Sequence, residues 1–126
     1  MSIAHITIYG IPNCDAVKKA RAWFASSDIA FEFHDLKKQG VPAQALARWL
    51  NAVEWTTLLN RRGTTWRNLA PSAQAAVSDE ESARHLMIDQ PSVIKRPVVE
   101  LNRAGAVHVT VGYSPEKWMS WHRDHA

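Results

Sequence analysis

The apolar run Ile6-Thr7-Ile8-Tyr9 meets Gly10-Ile11-Pro12 and gives way at once to a helical pattern that opens at Cys14. A strand that must stop at Gly-x-Pro and turn straight into a helix is the start of a β-α unit. Ala16, Val17, Ala20, Trp23 and Phe24 recur at helical spacing and give that helix one buried face. After the helix stop Ser26-Ser27-Asp28, the residues Ile29, Phe31 and Phe33 alternate with Ala30, Glu32 and His34, the period of a half-buried strand. The first third therefore reads β-α-β, and a right-handed crossover joining parallel strands is the form such a unit takes.

The middle of the chain reads as helices. Pro42 suits a first helical position, and Leu46, Trp49, Leu50 and Val53 then share one face. Pro71 to Val77 reads as a short helix. Ser78-Asp79-Glu80-Glu81 reads as a capping box, with Ser78 as N-cap and Glu81 reaching back, and opens a helix toward Met87 that stops before Pro91. Thr56 to Asn68 stays open between helix and loop. In the last third, Pro97 to Leu101 and Ala106 to Val111 flank Asn102-Arg103-Ala104-Gly105, which predicts an antiparallel hairpin with a four-residue connection. Ser114 as N-cap and Pro115 as first residue start a final helix with Trp118 and Trp121 on its buried side. The order β-α-β, helices, β-β-α predicts an α/β fold with a mixed sheet and helices on its faces, a thioredoxin-like arrangement. It is read as one domain over residues 1–126, with a helical insertion at about 42–90.

At 126 residues and 46% hydrophobic content, the chain holds one core and has little room for a second. One cysteine excludes an internal disulfide. Met1 to His5 lead directly into the first strand without the basic and apolar segments of a secretory signal, and no apolar run is long enough to span a bilayer. A soluble cytoplasmic protein with no membrane partner is expected. The net charge of +3 is dispersed among acids, so no nucleic-acid partner is expected either. The nearest thing to a basic patch is Asn60 to Arg67, with Trp66 interleaved; it reads as a solvated loop beside a buried tryptophan, or as a phosphate- and base-contacting stretch. The histidines His5, His34, His85, His108, His122 and His125 show no metal-ligand spacing, and no Gly-rich phosphate loop appears. Neither a metal nor a bound cofactor is expected.

Cys14 is the residue with reactive potential. At or beside a first helical turn, unpaired backbone N–H groups and the positive dipole end favour an anion, and the thiolate is the nucleophilic form of a cysteine. Lys18 lies one turn on and adds positive charge; Asp15 opposes it. The competing role is that of a small buried hydrophobe. Asn13 reads as the N-cap, with a second role for its side chain as donor to a bound oxyanion or peptide.

Three segments carry a family resemblance: Tyr9-Gly10-Ile11-Pro12-Asn13-Cys14 with Lys18-Lys19-Ala20, Leu58-Leu59-Asn60-Arg61-Arg62-Gly63, and Ile94-Lys95-Arg96-Pro97-Val98. In matching order from Ile6 to Trp118, they resemble the arsenate reductase-like family, the ArsC, Spx and YffB group of thioredoxin-fold proteins. Gly63-Thr64-Thr65-Trp66-Arg67 is most similar to the YffB branch. The resemblance implies a thioredoxin-like fold with an inserted helical bundle. It also implies a nucleophilic cysteine at Cys14, an anion-binding arginine at Arg96 and a cis-proline at Pro97.

The departures are informative. Arsenate reductases proper carry a histidine where Gly10 stands and further arginines where Asn60 and Gly112 stand; Arg61 is a shifted substitute. Spx regulators often carry a Cys-x-x-Cys pair, whereas Val17 occupies the second position here, so a disulfide on Cys14 needs an external thiol to resolve it. The resemblance therefore implies a glutathione-dependent thiol-disulfide oxidoreductase with a single cysteine. Cys14 and Arg96 would be catalytic, and Asn13, Lys18, Arg61 and Pro97 would bind substrate. Glutathione would be the co-substrate, with a small thiol or disulfide as substrate and glutaredoxin as a further partner. The alternatives are a Spx-like regulator that binds RNA polymerase without catalysis, and a true arsenate reductase.

Overall fold

The computed structural model describes residues 5–125, with side chains described as far as Trp121. The predicted approach to the first strand, Met1 to Ala4, lies outside the described residues. The elements are β1 (His5–Gly10), α1 (Asp15–Ser26), β2 (Glu32–Asp35), α2 (Leu36–Gln39), α3 (Ala43–Ala52), α4 (Trp55–Leu58), α5 (Thr64–Arg67), α6 (Pro71–Ala75), α7 (Glu80–Asp89), a 3-10 turn (Pro91–Val93), β3 (Val98–Arg103), β4 (Ala106–Val111) and α8 (Pro115–His125). Contacts divide them into two compact units: the residues up to His34 with those from Arg96 onward, and Asp35–Lys95.

The first unit is built on a mixed four-stranded sheet in the order β2-β1-β3-β4, a thioredoxin-like arrangement. β1 runs antiparallel to β3, with Ile6 opposite Leu101 and Ile8 opposite Val99, so strand alternation puts all four on one face. On that face they pack with Ala20 and Phe24 of α1 and Trp118 of α8. α1 stops in a Schellman geometry: Asp28 is left-handed at φ 57°, its N–H reaches Ala25 O, and Ile29 N–H reaches Phe24 O. The ladder of β2 begins only at Glu32. Ile29 and Phe31 are half-buried against the core without joining it, so their alternation reports burial and not strand pairing.

The hairpin is tighter than a four-residue connection. β3 and β4 pair as far as Arg103 opposite Ala106, which takes Asn102 and Arg103 into the strand and leaves a two-residue turn. Ala104 (φ 52°) and Gly105 (φ 83°) both adopt the left-handed backbone that this turn and the right-handed strand twist require. α8 starts as expected, with Lys117 and Trp118 N–H groups donating to Ser114 O. Trp118 is buried, and its Nε1–H donates to Thr110 Oγ1 at 2.8 Å.

In the second unit, α3 buries Ala45, Leu46 and Trp49, and α7 buries Ala83 and Met87. Pro42 is the N-cap of α3, one residue earlier than a first helical position. The box that opens α7 is also shifted by one. Asp79 is the N-cap and accepts from Ser82 N–H at 2.9 Å, while Asp79 N–H donates to Ser82 Oγ at 3.1 Å. Hydrogen bonds from Ser82, the side-chain bond first, hold the Asp79 carboxyl below its usual range. Glu81 is thereby released from the box and pairs with Arg84 and His85. The stretch left open, 56–68, resolves into α4, an extended link, a turn and α5. Leu59 bridges Ile94 there, flanked by Asn60 N–H to Val93 O and Lys95 N–H to Leu58 O, both at 2.8 Å. α2 was not anticipated from the pattern; Asp35 caps it by accepting from the Lys37 and Lys38 N–H groups.

A buried indole N–H that loses its acceptor costs about 1–3 kcal/mol. Thr110→Val keeps the shape and removes the acceptor of Trp118, so it lowers the unfolding free energy by about that amount, as measured by the urea midpoint at unchanged slope.

Candidate functional site

The turn after β1 is closed by Cys14 N–H donating to Ile11 O at 3.1 Å. Cys14 itself, in extended conformation at φ −93° and ψ 125°, is the N-cap of α1, and its carbonyl accepts from Lys18 N–H at 2.9 Å. Asn13, expected at the cap, sits one residue earlier, exposed in the turn. N-cap side chains normally accept from first-turn N–H groups, and Cys14 makes no such bond. Those donors therefore remain available beside a half-buried sulfur.

Strand register sets what lies near that turn. Tyr9 is opposite Val98, so the residues that follow Tyr9 and those that precede Val98 emerge at the same end of the sheet. Gly10 to Cys14 leave on β1; Arg96 and Pro97 enter on β3. The Arg96–Pro97 peptide is cis, Pro97 is buried with its carbonyl accepting from Gly112 N–H at 2.8 Å, and Arg96 is half-buried. Cys14, Asn13, Arg96 and Pro97 thus share one end of the first unit, with Lys18 exposed one helical turn along. Arg61 belongs to the second unit, where its guanidinium lies over the rings of Trp55 at 5.6 Å and Trp66 at 5.9 Å. That stacking was not legible from spacing.

The three positions at which the chain departs from the arsenate reductase pattern each have a structural reason. A Cβ on Gly10 would lie 2.5 Å from Val17 Cγ2 and 3.0 Å from Cγ1, and Val17 is fully buried. A valine in a helix has essentially one χ1 rotamer and cannot swing aside, so position 10 must stay bare while Val17 is present. Gly112 has φ 87°, a backbone that an arginine would occupy only under strain. Asn60 is committed to its own turn: its Oδ1 accepts from Arg62 N–H at 3.1 Å.

Among the described residues, no three His, Cys, Asp or Glu side chains gather in a way that suits a metal ion. No described helix is long and apolar enough to cross a membrane. A concavity of about 350 Å³ in the second unit is lined by Leu50, Val53, Glu54, Trp55 and Glu80, and none of the candidate residues lines it.

Comparison with known proteins adds four similarities. Residues 9–120 match the ArsC family. The solved structure of a YffB protein superposes with a TM-score of 0.82 at 42% identity, covering 91% of this chain and 96% of that one. The solution structure of an arsenate reductase (ArsC) related protein from Brucella melitensis is 46% identical, with a TM-score of 0.67 over 94% of this chain and 95% of that one. The global transcriptional regulator Spx of Streptococcus agalactiae is 27% identical over 96 residues, 75% of this chain and 69% of that protein.

The packing of Val17 against Gly10 is open to a direct test. Gly10→Ala forces a methyl into a stiff side chain and costs about 1–3 kcal/mol of stability. In Val17→Ala, which opens the space, the same substitution costs clearly less, so thermal unfolding of the four proteins yields a coupling energy of the sign of relieved overpacking.

Proposed function

The chain belongs to the ArsC family, and we propose that it is a glutathione-dependent thiol-disulfide oxidoreductase that works through Cys14 alone. The observation that carries this reading is the position of Cys14: a half-buried sulfur at the N-cap of a 12-residue helix, with no side-chain bond to the first-turn N–H groups. It stands at the same sheet end as Arg96 and Pro97.

In the proposed cycle, the Cys14 thiolate attacks the glutathionyl sulfur of a mixed disulfide R–S–S–G. A Cys14–S–S–G bond forms, the original S–S bond breaks, and R–S⁻ leaves with the electron pair and takes up a proton. A second glutathione thiolate then attacks the glutathionyl sulfur on Cys14, releasing glutathione disulfide and regenerating the Cys14 thiolate. Val17 stands where a resolving thiol would be, so the resolving thiol comes from solution or from a partner such as glutaredoxin. First-turn N–H groups of α1 lie beside the sulfur, and Arg96 is assigned to the anion from its match to the family's arginine. Arg96 and Lys18 also suit the carboxylates of glutathione, with the Asn13 side chain as a further donor. Pro97 and its neighbouring backbone are assigned to the extended peptide of glutathione from the family resemblance. Arg61 is assigned a substrate-binding role from its position in the Asn60-Arg61-Arg62-Gly63 motif, and a cytoplasmic location accords with a reduced glutathione pool.

The Spx relatives favour a second reading, a regulator that binds RNA polymerase and needs no chemistry at Cys14. Glutathione disulfide and intact mass separate the two. The wild-type chain takes up one glutathione, excess reduced glutathione removes it, and Cys14→Ser takes up none. Absence of the adduct, or full biological activity and polymerase binding in Cys14→Ser, rules out the enzyme.

Arsenate reduction is expected to be negligible. Each charge-assisted hydrogen bond is worth roughly 1.5–3 kcal/mol, so an oxyanion site that lacks two of them loses about two to four decades of affinity. Turnover at low arsenate with glutathione and glutaredoxin supplied measures this, and a robust rate would make the chain an arsenate reductase.

A further inference from the structure

The sheet of the first unit ends in β2 on one side and β4 on the other, and the two edges differ. β2 has four residues and carries an acid at each end, Glu32 and Asp35. A short strand flanked by charge is a poor template for another strand. β4 has six residues, Ala106-Val107-His108-Val109-Thr110-Val111, among them no acid, lysine, arginine or proline. Its register against β3 runs unbroken from Ala106 opposite Arg103 to Val111 opposite Val98, so no bulge turns this edge aside.

Which groups face outward follows from the hairpin. In antiparallel strands, pairs that exchange both backbone hydrogen bonds alternate with pairs that exchange none. The two-residue turn closes on Arg103 and Ala106, and at the other end Gly112 N–H donates to Pro97 O, so both of these pairs are of the bonded kind. Leu101 with His108 and Val99 with Thr110 then belong to the same class, and the N–H and C=O groups of Val107, Val109 and Val111 point away from β3. Among the described residues those groups meet no partner. The side chains of the same valines are half-buried and share the sheet face opposite the one on which Thr110 meets Trp118.

The outward groups are symmetric about Val109. A second β4 laid antiparallel, with Val109 opposite Val109, meets them group for group and sets Val107 opposite Val111. It also brings β-branched side chains together on one face, where cross-strand pairs stabilise a sheet. Strand against strand, no acid faces an acid and no lysine or arginine faces another, since β4 has none.

We propose that β4 is a self-association edge: a second copy of this chain adds its own β4 antiparallel to it, about a twofold axis at Val109, and joins two four-stranded sheets into one. One strand against one strand is a small contact, so the association is weak and depends on concentration. It is independent of the chemistry proposed for Cys14.

Sedimentation of the full chain under reducing conditions, from micromolar to millimolar concentration, tests it. The average mass is expected to rise toward twice that of one chain. Val109→Pro removes an outward N–H and no bond to β3, a change that an edge strand tolerates, and is expected to keep the chain monomeric across the range. The register is read with cysteines placed in the Cys14→Ser chain. Val109→Cys sets two thiols on the axis, at the Cα separation of about 5.5 Å that a bonded pair has and a disulfide accepts, and oxidises to a covalent dimer. Val107→Cys faces Val111 of the second copy and stays monomeric. Both cysteine variants keep a small apolar side chain and remain informative if Val109→Pro proves less stable. A constant mass in wild type, undiminished association of folded Val109→Pro, no covalent dimer of Val109→Cys, or equal crosslinking of Val107→Cys each overturns the proposal.

Discussion

The packing of Trp118 is the contact on which the first unit depends. Its ring lies 4.9 Å from Phe24, 5.5 Å from Trp23 and 5.5 Å from Tyr113, centroid to centroid, and its Nε1–H is satisfied by Thr110. One side chain from α8 therefore meets α1 through two aromatics and meets the sheet through a hydrogen bond to β4. A buried indole N–H usually finds a partner, and that of Trp118 finds it on β4. Loss of such a ring to alanine costs about 3–5 kcal/mol, a large share of the stability of a small domain.

Fixing α1 at its centre and C-terminal half is not enough to place Cys14, which lies at the other end. That end is fixed by Val17, which fills the space over Gly10 so closely that no side chain fits there. The two contacts act at different points along one rigid helix, so the height and rotation of its N-cap follow from packing. The β1–β3 register then does the rest: with Tyr9 opposite Val98, the Cys14 turn and the Arg96–Pro97 segment reach the same sheet end from strands that are distant in sequence.

Much of this was legible in the sequence because it rests on short-range chemistry. The strand that stops at Gly10-Ile11-Pro12, the amphipathic α1, the Ser114-Pro115 helix start and the hairpin all carry their signals within a few residues. The errors have local physical causes as well. Cysteine is a poor N-cap by preference, so Asn13 looked better, but the turn closes on Ile11 O one residue later. Ser78-Asp79-Glu80-Glu81-Ser82 contains two overlapping boxes, and the one with both reciprocal bonds formed. Ala104 at positive φ is uncommon for a residue with a Cβ, which made a longer connection look necessary. Helices as short as α4 and α5 complete about one turn, too little for a 3.6-residue period to register. Neither the stacking of Arg61 on Trp55 and Trp66 nor the fit of Val17 over Gly10 has a sequence signature, since each joins residues through tertiary packing.

Read through that packing, the differences from an arsenate-binding pattern are not independent losses of charged side chains. Position 10 is bare because a β-branched residue on α1 occupies its space; position 112 is glycine at the left-handed end of β4, where its N–H must reach Pro97 O; and Asn60 is consumed in closing its own turn. Each of these residues shapes backbone or packing at a position where the arsenate reductase pattern presents a charged side chain. At the sheet end that Cys14 reaches, the chain presents the cis Arg96–Pro97 segment, its Pro97 carbonyl accepting from Gly112 N–H. On the proposed function, this end receives an extended peptide in preference to a compact oxyanion, because peptide ligands return backbone hydrogen bonds one for one while an oxyanion demands fixed cations.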